Sequence, residues 1–212
     1  MILVGQYDSP YVRRVAIALH LLGLPFERNT LSGFADAETM RTINPLGRIP
    51  SLILDDGEVV IDSAAILDHL DSRVAPERRL LPPAGRERRT ALRVVALATG
   101  CVDKAGAVVY ERALRPPEKV HQPWIQRCRT QLDSGLGALE AATGDGWYAG
   151  DRPLQPDITV ACMLGYLPDR LPEAFPAGAY PHLRAFAARF AELPAFAATL
   201  PAVDETMPAL LS

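Results

Sequence analysis

Asn44-Pro45-Leu46-Gly47-Arg48-Ile49-Pro50-Ser51-Leu52-Ile53-Leu54 is the stretch from which the rest of the chain is read. Two prolines and a glycine hold the backbone of this loop, and Ile49, ahead of Pro50, is pushed towards extended geometry. Pro50 has no N–H to give to a ladder. It therefore belongs at a bend or at the first residue of the strand that Ser51 to Leu54 composes. A rigid extended residue here has two readings: a connection into a strand, or a backbone edge offered to a small extended peptide. Taken alone, the stretch favours the connection.

Working outward, Asp55-Asp56-Gly57-Glu58 is a hairpin turn and Val59-Val60-Ile61 the returning strand. Asp62-Ser63 then opens a helix through Ile66, Leu67 and Leu70. Upstream, Ile2-Leu3-Val4-Gly5 reads as a short buried strand, and Ser9-Pro10 as a helix start with proline in the first turn. Apolar residues at Val15, Ala16, Leu19 and Leu22 keep helical spacing until Gly23. Phe26 to Leu31 is a second strand candidate and Ala35 to Ile43 a weak helix. The order β-α-β-α-β-β-α requires a right-handed crossover and closes on an antiparallel hairpin.

Downstream, the proline-rich and arginine-rich residues 76–85 have no periodicity and read as a linker between a domain at 1–75 and a helical domain at 86–212. Helices are expected at Arg86 to Ala113, Glu118 to Ala142, Asp157 to Leu171, Tyr180 to Glu192, and Pro194 to about Leu200. The third is apolar enough to be the central buried helix. The tail from Pro201 is expected to be loosely held.

A chain of 212 residues is long enough for two modest domains. Its 49% hydrophobic and 22% charged residues are ordinary for a globular protein. A net charge of −3 gives no electrostatic case for nucleic acid. No apolar run approaches the ~20 residues of a membrane span. Cys101, Cys128 and Cys162 are odd in number and widely spaced, which fits no metal pattern and no disulfide framework. They read as small buried hydrophobes in a reduced, cytoplasmic setting.

The chemistry begins at Ser9-Pro10-Tyr11-Val12, where a helix N-terminus favours an anion through its dipole and its free amides. The pattern is similar to the Cys-Pro-Tyr-Cys of a glutaredoxin with serine and valine in place of the cysteines. Exchange through the protein's own dithiol is therefore unavailable, and a hydroxyl stands where the attacking sulfur would be. Together with Asn44 to Pro50 and the helix-opening Asp62-Ser63, Ser9-Pro10 and Arg13 make the chain resemble the cytosolic glutathione transferases. In style it is closest to the bacterial and theta-like members that use serine or cysteine rather than tyrosine.

That resemblance implies an α/β plus all-α architecture, with a thioredoxin-like N-terminal domain followed by an all-helical C-terminal bundle. It implies that Ile49, before a cis Pro50, pairs its backbone with the cysteinyl part of glutathione. Asp62 and Ser63 would receive the γ-glutamyl end, and the planar fork of Arg48 the glycyl carboxylate. Ser9 would donate to the sulfur. A thiol titrates near 8.5, so a positioned hydroxyl that solvates the thiolate raises the nucleophilic fraction at neutral pH. Tyr7 is the rival donor, because some classes place a tyrosine hydroxyl at the end of this strand, and a plain helix cap is the rival role for Ser9. Tyr11, Tyr110 and Arg112 are candidates for the acceptor pocket, with packing or surface exposure an equal reading of each.

The implied activity is detoxifying transfer of glutathione, as co-substrate, to a small electrophile, in a cytoplasmic homodimer with no tightly bound cofactor, metal, nucleic acid or membrane partner. The alternative is a non-catalytic binding or regulatory protein of the stress or transcription type on the same fold. The sequence departs from the family pattern at Leu154. The family carries Ser or Thr three residues before Asp157, so the hydroxyl half of that capping box is missing.

Overall fold

A computed structural model describes residues 1–205. They divide into two compact units, residues 1–80 with 192–205, and residues 81–191. The first unit runs β1 (Ile2–Val4), α1 (Pro10–Leu22), β2 (Glu27–Asn29), α2 (Ala37–Ile43), β3 (Ser51–Ile53), β4 (Val59–Ile61) and α3 (Ser63–Ser72). Its sheet has the order β2-β1-β3-β4, with β1 parallel to β2 and the other pairs antiparallel. Val4 lies opposite Ser51, and Ser51 opposite Ile61. The residues that follow β1, precede β3 and follow β4 therefore leave the sheet at the same end.

Proline in its first turn starts α1, and Gly23 ends it in the left-handed conformation at φ 63°. Val12, Val15, Ala16 and Leu19 of α1 are buried, as are Ile66, Leu67 and Leu70 of α3, which packs against α1. Each large apolar side chain so buried contributes about 1.5–3 kcal/mol. α2 begins at Ala37, two residues later than the sequence suggests. Ser32 N–H donates to Asp36 Oδ2 at 2.8 Å, and Phe34 and Ala35 N–H donate to Ser32 Oγ at 3.2 Å. These side-chain turns outcompete the helix locally.

The last described segment returns to this unit. α8 (Pro194–Ala197) packs on α1, with the Arg13 guanidinium 4.0 Å over the Phe196 ring. Instead of being loosely held from Pro201, the chain forms a 3₁₀ turn at Val203–Glu205 that buries Glu205. The rest of that expectation falls on residues 206–212, outside the described residues.

The second unit holds α4 (Gly85–Ala113), α5 (Gln122–Ala142), α6 (Gln155–Arg170) and α7 (Pro181–Ala191). α4 packs against both α5 and α6, and α6 buries Ile158, Val160, Met163, Leu164 and Leu167. α5 starts at Gln122 rather than Glu118 because Pro117–Lys119 closes into a 3₁₀ turn and the Glu111 carboxylate takes the His121 N–H at 3.1 Å. α7 is capped from a neighbouring helix, since Glu140 accepts from His182 N–H and Leu183 N–H, both at 2.9 Å. At α6, Asp157 supplies the surviving half of the capping box. Its Oδ2 accepts from Leu154 N–H at 3.0 Å, and its Oδ1 from Tyr148 N–H at 2.9 Å. All three cysteines are buried, and none of them forms a disulfide. No helix among the described residues is long and apolar enough to cross a membrane.

Candidate functional site

The sheet end at which three connections meet depends on Gly5. Its φ of 135° favours glycine, and a Cβ there would lie 2.6 Å from Val12 Cγ2 and 2.9 Å from Ile49 Cβ. Only a hydrogen side chain lets the first turn of α1 and the 44–50 loop close on the end of β1. Gly5 N–H donates to Asn29 O at 2.8 Å, which ties the same point to β2.

Within that loop the buried Asn44 organises the turn. Its Nδ2 donates to Arg48 O at 2.8 Å and its Oδ1 accepts from Leu46 N–H at 3.0 Å. Gly47 takes the left-handed conformation at φ 62°, and the Ile49–Pro50 bond is cis. In the sequence Asn44 reads only as part of a breaker cluster. Its residue type is the one signal of this role, because an asparagine amide readily imitates a backbone turn. Arg48 is exposed and Ile49 half-buried on the same loop.

Ser9 is the N-cap of α1, and its Oγ accepts from Val12 N–H at 3.4 Å, a long bond. Asp62 is the N-cap of α3, with Oδ1 accepting from Ala64 N–H at 2.9 Å. Its φ of 69° is uncommon for a residue other than glycine. Ser63, the first residue of α3, is buried. The sheet register thus gathers Ser9, the Ile49-Pro50 edge and Asp62-Ser63 at one end, with the N-termini of α1 and α3 both there. Such a surface suits an extended ligand that carries negative charge.

Tyr7 is built differently. It is 3% exposed, its N–H donates to Glu205 Oε2 at 2.8 Å, and the Arg28 guanidinium lies 3.5 Å from its ring centroid. Burial raises the phenol pKa above its ordinary value, against the pull of Arg28. Tyr11 stands half-buried in the first turn of α1, in the first unit. Tyr110 and Arg112 belong to α4 of the second unit. Tyr110 is exposed, and Arg112 pairs with Glu173 at 2.5 Å. Among the described residues no group of His, Cys, Asp and Glu is arranged to hold a metal ion.

Two family models match the chain: the glutathione S-transferase N-terminal domain over residues 3–78 and the glutathione S-transferase C-terminal domain over residues 122–189. A maleylacetoacetate isomerase of Pseudomonas aeruginosa is 34% identical over 99% of this chain and 100% of its own length. Among solved structures, a glutathione S-transferase of Methylobacterium radiotolerans in complex with glutathione sulfonate is 34% identical. It superimposes with a TM-score of 0.88 over 94% of each chain. A glutathione transferase family member of Pseudomonas fluorescens with bound glutathione is 36% identical, with a TM-score of 0.83 over 95% of this chain and 99% of that one.

Proposed function

Since the chain belongs to the glutathione S-transferase family, we propose that it is an enzyme that binds glutathione at this sheet end and holds its sulfur as thiolate beside Ser9 for attack on a small electrophile. The observation that carries the reading is the register that brings Ser9, Ile49-Pro50 and Asp62-Ser63 together. Ile49 pairs its backbone with the cysteinyl residue, and Arg48 meets the glycyl carboxylate from the exposed side of the loop. The first amides of α3 and the Ser63 hydroxyl receive the γ-glutamyl carboxylate. The charge of Asp62 balances the ammonium while Oδ1 caps the helix.

Ser9 serves two roles at once. A hydroxyl has one donor and two acceptor sites, so accepting from Val12 N–H leaves its hydrogen for the sulfur. The burial of Tyr7 supports Ser9 as the donor. The thiol proton leaves to solvent, and the sulfur, held as an anion, supplies the electron pair for the new C–S bond. A leaving group such as halide departs with its bonding pair or, on an activated alkene, the π pair shifts to the activating group and takes a proton from solvent.

Similarity to an isomerase along the whole chain favours a second use of the same thiolate. Reversible addition to an activated double bond forms a C–S bond, permits rotation, and breaks that bond again, so the alkene is isomerised and glutathione regenerated. Turnover of a cis unsaturated diacid without loss of glutathione marks this reading; stoichiometric consumption marks transfer.

The test of the common step is retention on a glutathione matrix together with turnover of an aryl halide and of an activated alkene. Retention with turnover of either is the expected result. Retention without any turnover points to the non-catalytic alternative, and no retention overturns the binding site itself. Asn44→Ala removes both bonds that shape the 44–50 loop. At about 1 kcal/mol per lost bond, it is expected to weaken glutathione binding several-fold, read by calorimetric titration. A homodimer is expected in solution, at twice the 23.0 kDa chain mass. β4 supports this as an edge strand whose Val59 and Ile61 are 37% and 36% exposed. Sizing by light scattering decides it.

A further inference from the structure

Glu205 lies 198 positions from Tyr7 in sequence, yet its carboxylate is enclosed, at 6% exposure, against the loop that leads to Ser9. Its Oε2 accepts the Tyr7 N–H at 2.8 Å, and Arg28 Nη2 bonds Oε1 at 2.7 Å and Oε2 at 2.8 Å. Arg28 in turn covers the Tyr7 ring. A buried carboxylate is unfavourable unless paired and hydrogen-bonded, and here both conditions are met. The same segment also contacts α1, where Phe196 of α8 lies under the Arg13 guanidinium at 4.0 Å.

The turn between β1 and α1 is also held through its backbone. Gly5 N–H is anchored to Asn29 O, and Ser9 N–H donates to Gln6 O at 3.2 Å. The bond from Val12 N–H to Ser9 Oγ, at 3.4 Å, is too long to hold the hydroxyl firmly. Tyr7, two residues before Ser9, is pinned through its backbone by Glu205 and through its ring by Arg28. Misplacing a reacting group by about 1 Å can lower a rate ~100-fold, so the rigidity of this turn bears on chemistry.

We propose that Glu205 is a positioning residue for Ser9. By clasping Tyr7 N–H and Arg28 it fixes the Gly5–Ser9 turn, and with it the hydroxyl, without touching glutathione. The proposal rests on the reading that Ser9 stabilises the thiolate.

The experiment compares full-length Glu205→Ala, Glu205→Gln and Ser9→Ala with the wild type. Three quantities are read: the titration of bound glutathione by thiolate absorbance, kcat and KM for glutathione, and hydrogen exchange of residues 5–9. In Glu205→Ala the bound thiol is expected to titrate about one pH unit higher, a tenfold loss of thiolate. kcat falls about ten- to a hundredfold with KM within threefold, and the Tyr7 amide exchanges faster. Glu205→Gln keeps an acceptor for Tyr7 N–H, so it recovers most of the amide protection and of kcat. If Glu205→Ala fails to fold, Glu205→Gln and Arg28→Lys carry the same comparison, with a smaller shift of the same sign expected. An unchanged thiol titration and kcat in the Glu205 variants, with Ser9→Ala raising the titration, overturns the positioning role and leaves Ser9 standing. An unchanged thiol titration in Ser9→Ala overturns the Ser9 reading, and the positioning proposal falls with it.

Discussion

Ser9→Ala is expected to lower turnover by about one to three orders of magnitude while glutathione affinity stays within a few-fold, by analogy with removal of a single anion-stabilising donor. The separation follows from where the contacts lie. In the proposed complex Arg48, Ile49, Asp62 and Ser63 hold the two ends and the backbone of the tripeptide, and none depends on the Ser9 side chain. Of the ligand's groups, the hydroxyl meets only the sulfur. Removing it leaves the α1 amides but no donor pointed at the anion, so the acidic limb of the rate profile moves up towards the ~8.5 of an unassisted thiol. Stability is a weak competing explanation. Losing a helix cap costs about 1 kcal/mol, and this cap bond is already long at 3.4 Å. A thermal scan beside the kinetics separates the two. Tyr7→Phe is expected to stay within about threefold of the wild type, because a phenol that is 3% exposed is not at hand for a ligand. A larger loss in Tyr7→Phe than in Ser9→Ala would move the assignment to Tyr7.

Asp157→Ala is expected to destabilise the second unit by about 2–4 kcal/mol at neutral pH. Two amides, Leu154 N–H and Tyr148 N–H, lose their acceptor at once. Each buried donor left unpaired costs about 1–3 kcal/mol. Relief of the buried charge offsets part of that, because burial pushes the Asp157 carboxyl up from 3.8 to about 6 against the pull of the same amides. In a chain of this length the net loss corresponds to a fall in Tm of about 5–15 °C.

The raised pKa fixes the sign of the pH dependence. From about pH 6 down to 3.8 the folded chain holds this proton more firmly than the unfolded chain. The contribution of the group to stability therefore rises as pH falls through about 6 and levels off below 3.8. The deficit of Asp157→Ala should widen from neutral to mildly acidic pH in urea titrations. A constant deficit would refute the raised pKa, and no deficit at any pH would refute the anchor.

Much of the fold is legible because the signals are local. The strand at Ile2, the helix between Ser9-Pro10 and Gly23, the hairpin at Asp55 to Glu58 and the helix opened by Asp62-Ser63 each carry their own start or stop chemistry. The resemblance then joins them into a family architecture, which the matching family models support. The less legible features are tertiary. Gly5 reads as the end of a strand, and only the approach of Val12 and Ile49 explains the glycine. Asn44 looks like one more breaker in a loop until its amide is seen bridging Leu46 and Arg48. Glu140 as the cap of a helix 42 positions away has no sequence period at all. Glu205 has the same difficulty, as one of two adjacent acidic residues, with Asp204, in an otherwise apolar tail whose partners lie at the other end of the chain.

The clasp on Tyr7 and Arg28 also bears on how the protein is made. Translation delivers residues 1–80 first, with both sheet-covering helices α1 and α3, while the carboxylate that completes the unit is still unmade. Glu205 comes 125 residues after Leu80 (205 − 80 = 125). At ~5–20 residues per second that is a delay of about 6–25 s. Through that interval Arg28 lacks the carboxylate with which it pairs in the finished unit. Residues 1–80 are therefore made before the second unit but completed after it, and a product terminated before α8 lacks that partner however well its sheet has formed.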